Sequence, residues 1–180
     1  MSAASTPEPP LHGAARRRAG LLIGAAAVAS TDLVAKAWAQ QSLPPSGVEV
    51  GPVDFVLAYN PGIAFSVAAD APRALVITIT SAITLAVAAV AWRVARESTQ
   101  IMTAALAAIL GGAVANVVDR AGDGVVTDYL HTGWWPTFNL ADAAIVTGAA
   151  LLVLTSWQRP TGRNDDAQVP PADARRSSPA

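Results

Sequence analysis

The chain contains no cysteine, which excludes disulfides, thiolate metal centres and cysteine nucleophiles together. Histidine is nearly as scarce: His12 and His131 are too few and too far apart for a histidine-built metal site. Charged residues make up 14% of the 180 positions, where a soluble domain carries about a quarter. Because 12 Lys and Arg offset 13 Asp and Glu, the net charge is −1, and no basic field exists to draw nucleic acid. The remainder is 52% hydrophobic. It is gathered into long uncharged runs, the pattern of a membrane protein.

Four such runs lie at residues 19–39, 74–92, 101–118 and 139–157. Each spans roughly 18–21 residues, enough to cross about 30 Å of hydrocarbon as a helix. Ala, Gly, Ser and Thr dominate them, which lets membrane helices approach closely. The second run has no polar stripe, which a helix of a soluble bundle would need. The expectation is one all-α integral membrane domain over residues 19–158. Residues 1–18 and 159–180 lack periodicity and are expected to be disordered tails. Between the first two runs, Pro44, Pro45, Gly47, Gly51, Pro52, Pro61 and Gly62 mark turns. Residues 55–59 and 63–67 there read as short strands. Residues 119–138 read as a polar loop containing Asp119, Asp123 and Asp128.

The first run, with Arg16, Arg17 and Arg18 before it and Ala37-Trp38-Ala39 at its end, is similar to a cleavable signal peptide. Trp38 in the cleavage position, and Asp32 and Lys36 inside the run, favour a retained helix instead. Orientation follows from the basic residues. Arg16, Arg17 and Arg18, then Arg93 and Arg96, then Arg159 and Arg163 all fall on one side of a four-crossing chain, against Arg73 and Arg120 on the other. Both termini are therefore expected in the cytoplasm and the two longer loops outside. Trp134 and Trp135 suit the outer interface, Trp92 and Trp157 the inner one.

Polar groups inside membrane segments are costly and call for a reason. Here they converge at one depth. Asp32 lies about 20 Å along the first helix from its cytoplasmic end, and Lys36 is one turn further on the same face. Asn116 and Asp119 close the third helix; Asn139 and Asp142 open the fourth; Asp128 stands between them. Each has a plainer reading. Asp32 with Lys36 fits an intrahelical ion pair equally well. Asn139 fits a helix cap, Asp119-Arg120 an interfacial salt bridge, Asn60-Pro61-Gly62 a turn, Asp123 a turn residue between glycines, and His131 an interfacial polar residue. Asp128 and Asp142 have no such account, since neither has a cation beside it in sequence.

Five segments in order resemble the lipoprotein signal peptidase (signal peptidase II) family of bacteria: Asp32-Leu-Val-Ala-Lys36, Asn60-Pro-Gly62-Ile-Ala-Phe65, Gly112-Ala-Val-Ala-Asn116-Val-Val-Asp119-Arg120, Val126-Thr-Asp128-Tyr129, and Phe138-Asn139-Leu-Ala-Asp142. Ala143 stands where a small hydroxyl residue is frequent in the family. The resemblance implies four transmembrane helices with a small extracytoplasmic β-sheet region. It implies an aspartic endopeptidase, with Asp128 and Asp142 catalytic, that cuts prolipoproteins just before a diacylglyceryl-modified cysteine. Asp32, Lys36, Asn60, Gly62, Phe65, Asn116, Asp119, Arg120 and Asn139 would support the site or contact substrate. It also implies a multi-pass plasma-membrane location with the site at the outer leaflet. Lipidated prolipoproteins and membrane lipid are the expected partners, nucleic acid is not, and a monomer with no metal and no cofactor is expected. Two neighbouring carboxylates resist double ionisation and share a proton, so one can activate water while the other polarises the carbonyl. The alternatives are a small four-helix membrane transporter, with polar groups nearer the midplane, a non-catalytic membrane subunit, and a metal-dependent membrane protease. The last lacks the His-Glu-x-x-His motif it would need.

Overall fold

The computed structural model describes residues 11–62 and 72–157. The order is α1 (Leu11–Ser42), β1 (Asp54–Asn60), α2 (Arg73–Val94), α3 (Gln100–Asp123), β2 (Val126–His131) and α4 (Leu140–Trp157). All four helices are long and apolar enough to cross a membrane. The expected strand at 63–67, Phe65 and both outermost tail segments (1–10 and 158–180) lie outside the described residues.

The four expected helices are present, with different ends. α1 begins at Leu11, so Arg16, Arg17 and Arg18 are helical and not part of a tail. Arg17 Nε donates to Arg96 O at 3.2 Å and Arg18 Nε to Trp92 O at 3.3 Å, while the Arg18 guanidinium lies 4.3 Å from the Trp92 ring centre. These contacts join the start of α1 to the end of α2 at the pole carrying the basic residues. α3 opens on Thr99, whose hydroxyl accepts from Met102 N, a standard N-cap arrangement. α3 runs past the expected end at 118 to Asp123 and stops on Gly124, whose φ of +97° is the left-handed cap that glycine tolerates. Asp119, Arg120 and Asp123 are therefore on the helix, not in a loop. Asp123 does take a turn role, its carboxylate accepting from Val125 N at 3.1 Å.

The expected loop 119–138 also contains a strand. β2 pairs antiparallel with β1, Ala58 opposite Asp128 and Tyr59 opposite Thr127, with an irregularity between Phe55 and Ala58. Phe138 bridges to Leu130 on the other side of β2. The run Val125-Val126-Thr127 with Tyr129 has the β-branched and aromatic character strands favour. Trp38 of α1 meets Phe55 edge-on, ring centres 5.7 Å apart, and so anchors the two-stranded sheet to the bundle.

α3 is the central helix, packed against α1, α2 and α4. Two adjacent glycines set the closest approaches. A Cβ on Gly111 would fall 2.5 Å from Ala25 O of α1, and one on Gly112 would fall 2.5 Å from Ala141 O of α4. Gly148 of α4 similarly admits Ala105 O of α3. Such backbone contact replaces the hydrophobic drive that lipid does not supply. Replacing Gly112 by Val must push α4 off α3, and overpacking of this kind costs about 1–3 kcal/mol. The expected result is a lower melting temperature for Gly112→Val in detergent, while Gly122→Ala, with open space around its Cβ, leaves it unchanged; equal melting of Gly112→Val and the wild type would refute the close packing.

Candidate active site

The site forms where α1, α3, β2 and the start of α4 meet. Its base is a buried lysine. Lys36 is 2% exposed, yet its ammonium has three partners: Asp32 at 2.8 Å, Asp119 at 3.3 Å and Asn116 Oδ1 at 2.6 Å. The expected Asp32–Lys36 pair is real, but it is one part of a network that crosses from α1 to α3. The expected Asp119–Arg120 bridge does not form. Asp119 turns instead to Lys36 and accepts from Thr127 N at 2.7 Å. Neighbours on a helix point in different directions, whereas Lys36 lies on the face that Asp119 shares with Asn116.

Asn116 passes the orientation on. With Oδ1 occupied by Lys36, its Nδ2 faces Asp142 Oδ1 at 2.8 Å. The start of α4 holds Asp142 from the other side. Asn139 Oδ1 accepts from Asp142 N at 2.9 Å, and Asp142 Oδ2 accepts from Asn139 N at 3.3 Å. This reciprocal arrangement is a capping box with Asp in the third helical position. The other free N–H groups of this helix start are also taken: Leu140 N donates to the Tyr129 hydroxyl at 3.4 Å and Ala141 N to Asp32 Oδ1 at 2.8 Å. The helix terminus that normally leaves four donors unpaired is thus satisfied by groups of the site itself.

Asn139 is therefore a cap, as its plainer reading held, and also a bridge. Its Nδ2 donates to Asp128 Oδ1 at 2.6 Å while its backbone N–H serves Asp142. One fully buried residue thus connects the two carboxylates, through its side chain to Asp128 and its backbone N–H to Asp142. Asp128, 3% exposed on β2, has its carboxyl pushed up to about 6 by burial. The Asn139 hydrogen bond opposes the rise, the charge of Asp142 adds to it, and the Asn60 amide and Lys36 charge oppose it. Burial likewise pushes the Tyr129 hydroxyl up to about 12. Tyr129 thus stays a neutral donor and acceptor at physiological pH.

Asn60 ends β1 opposite Val126, and its Oδ1 accepts from Gly62 N at 2.8 Å. Its carbonyl faces the buried Arg120 guanidinium at 3.5 Å. Gly62 has φ +86°, and a Cβ there would lie 3.1 Å from Arg120 Nη2, so the backbone needs glycine on both counts. The sequence does not single out Thr127 or Gln40 as site residues, and Tyr129 stands in it only as the aromatic beside Asp128. Thr127 is fully buried and links Asp119 to Gln40, whose Nε2 donates to its hydroxyl at 2.7 Å; Tyr129 tops α4. All three depend on the fold of β2 over the helix ends. His131 Nδ1 lies 3.3 Å from the Thr137 hydroxyl. An apolar pocket of about 320 Å³ opens beside Asp142, lined by Trp134, Trp135, Phe138 and Val146. Among the described residues, no group of three or more His, Asp and Glu side chains is arranged to hold a metal ion.

A four-helix membrane scaffold with two linked carboxylates at one pole defines a class of polytopic membrane hydrolase candidates. The family model for signal peptidase (SPase) II matches residues 24–158. The lipoprotein signal peptidase of Mycobacterium tuberculosis (strain ATCC 25618 / H37Rv) is 37% identical over 161 residues, covering 84% of this chain and 75% of that protein. That of Rhodococcus jostii (strain RHA1) is 35% identical over 166 residues, covering 85% and 78%. That of Paraburkholderia phymatum is 45% identical over 114 residues, covering 61% and 69%. A bacterial membrane enzyme solved by the in meso method at 2.3 Å has the same fold, with TM-score 0.68 at 21% identity over 81% of this chain and 92% of that one. The chain belongs to the signal peptidase II family and is a multi-pass bacterial membrane protein of the peptidase class.

Two measurements test the network. Lys36→Met leaves Asp32 and Asp119 buried without their cation, a loss that costs about 3–5 kcal/mol when one partner of a buried pair is removed. A large drop in melting temperature is expected, and unchanged melting would contradict the buried network. For Asp128 the sign runs the other way. A carboxyl whose pKa is raised on folding contributes stability below about pH 4 and loses it as pH rises through about 6. Asp128→Asn removes that loss, so it should melt above the wild type at pH 7.5, by at most about 3 kcal/mol of stability, and converge with it toward pH 4.5. Parallel pH dependences of the two proteins would contradict the raised carboxyl.

Proposed function

We propose that Asp128 and Asp142 are the catalytic pair of an aspartic endopeptidase that removes the signal peptide from diacylglyceryl-modified prolipoproteins, cutting just before the lipidated cysteine. The observation that carries this reading is the single buried Asn139 bonded to both carboxylates, with Asp128 titrating near 6. A pair poised near neutrality can hold one proton and exchange it during peptide hydrolysis. The ionised member takes a proton from water as it attacks the scissile carbonyl. The protonated member hydrogen-bonds the carbonyl oxygen, and a proton then passes to the departing amine.

Asn116 and Asn139 keep the carboxylates oriented, with Lys36, Asp32 and Asp119 beneath them as the anchoring charges. Arg120 and the Asn60–Gly62 turn form the side of the site reached from β1, and Phe65, outside the described residues, is a proposed substrate contact. The apolar pocket at Trp134, Trp135 and Val146 suits acyl chains of the substrate, which lie in the same bilayer as α4. The basic pole built by Arg17, Arg18 and Arg96 faces the cytoplasm on the positive-inside rule. Both termini then lie inside, and the carboxylate site lies at the outer leaflet. The enzyme acts as a monomer without a metal or cofactor. Family membership and the confinement of the polar cluster to one pole weigh against the transporter and non-catalytic subunit alternatives.

The test is signal-peptide release from a diacylglyceryl-modified prolipoprotein by purified protein in lipid. Asp128→Asn and Asp142→Asn should each lose about 10²–10⁴-fold or more in rate, while a chelator leaves the wild type unaffected. The rate of the wild type should follow a bell against pH, with one limb near 6. Full activity in either well-folded variant would eliminate the proposed pair, and chelator sensitivity would replace it with metal chemistry.

A further inference from the structure

A groove lies at the pole opposite the carboxylate site. It encloses about 810 Å³ between α1 and α3. Its open end carries Arg16 and Arg17 beside Thr99 and Gln100 at the start of α3. Its walls toward the membrane interior are small and uncharged: Gly20, Gly24 and Val28 on α1, Ala104, Ala107 and Ala108 on α3. The α1 positions recur at the spacing of a single helix face. At Gly24 a Cβ would lie 2.9 Å from Ala107 Cβ, so α1 packs against the Ala107 methyl and the groove has a closed floor there.

The two arginines differ from the buried cation of the active site. Lys36 is matched by two carboxylates. Among the described residues, no carboxylate lies within ion-pair distance of Arg16 or Arg17, although Arg17 is held in place by its Nε bond to Arg96 O. The groove therefore runs from unmatched positive charge to an apolar slot along the helix axis. That gradient fits one kind of occupant: a phospholipid with net negative headgroup charge, its phosphate at the arginines and one acyl chain along Gly20, Gly24 and Ala104. The positive end of the α3 dipole adds to the attraction for phosphate, and guanidinium groups suit phosphate oxygens.

We infer that the groove between α1 and α3 is a binding site for an anionic phospholipid, separate from the peptidase site and set in the other leaflet. Such a lipid links the first and third helices at the pole where they are otherwise open. It would make stability depend on bilayer composition with no change at the carboxylates.

Full-length protein in detergent, titrated with phosphatidylglycerol, phosphatidylcholine or inorganic phosphate, tests this by native mass spectrometry and melting temperature. Phosphatidylglycerol should be retained at one molecule per chain and raise the melting temperature. Phosphatidylcholine and phosphate should do neither. Arg16→Gln with Arg17→Gln should weaken retention by about 10-fold or more, given roughly 1 kcal/mol for each basic residue near an anionic lipid. Arg93→Gln with Arg96→Gln, which removes the same charge from outside the groove, should leave retention unchanged. Ala104→Leu fills the slot and should also displace the lipid while leaving the lipid-free melting temperature intact. Equal retention of both lipids, or equal losses in the two arginine pairs, overturns the site in favour of general surface attraction. A shift produced by phosphate alone overturns it in favour of a free-anion site. Peptide cleavage is not among the readouts, so failure here leaves the peptidase reading standing.

Discussion

The structure depends on one buried ammonium. Burying a lysine in a membrane bundle costs several kcal/mol unless charge and hydrogen bonds are both returned. Asp32, Asp119 and Asn116 return them to Lys36, and each is then committed to a second partner. Asp32 uses its other oxygen to hold the backbone of Ala141. Asp119 holds the backbone of Thr127, next to Asp128. Asn116, with its carbonyl taken by Lys36, has only its amide hydrogens left for Asp142. Three routes therefore lead from a single cation to the two carboxylates, two through neighbouring backbone and one through a side-chain amide. None needs a flexible surface contact, so the pair is positioned by the same groups that make the buried charge tolerable.

This polar cluster requires helices that touch. Apart from Lys36 the side chains involved are short, and the bonds of 2.6–3.3 Å leave little slack between α1, α3 and α4. Gly111 and Gly112 let α3 approach both neighbours at backbone distance about one turn from Asn116. Gly112 meets Ala141, the residue whose N–H binds Asp32 and whose neighbour is Asp142. Packing and chemistry thus share one residue pair. The abundance of alanine and glycine, a sign of membrane helices in the sequence, is here what brings the carboxylates into reach of their supports.

Much of this was legible beforehand, for identifiable reasons. Long apolar runs located four helices because hydrocarbon thickness imposes a length. Asp32, Lys36, Asn116, Asp119, Asn139 and Asp142 were visible because a polar residue in an apolar run stands out, and helical spacing put several on common faces. The helix ends were less visible, since α3 continues through the polar stretch Asp119–Asp123 until a left-handed glycine stops it. The strand bearing Asp128 was hidden inside a stretch that reads as a polar loop; pairing with β1 across more than sixty residues is a tertiary event that local propensity does not report. Partner choice was also hidden. Asp119 beside Arg120 suggests a salt bridge, but direction around the helix sends Asp119 to Lys36. Thr127 and Gln40 look ordinary in sequence, and the cap that Tyr129 gives α4 is not legible there, because these roles arise only when β2 closes over the helix ends.

The two carboxylates are held unequally. Asp142 sits in the first turn of a helix, where the backbone dipole favours negative charge. It accepts from both the Asn116 amide and the Asn139 backbone. Asp128 sits on a strand with no such dipole and is almost wholly removed from water. The same Asn139 amide that bonds it is fixed by the cap, so it cannot turn to offer Asp128 more than one side-chain donor. Burial pushes the carboxyl of Asp128 up to about 6. Asn139, bonded to both, ties the strand-borne carboxylate to the helix-borne one, so a shift of either element reaches the other.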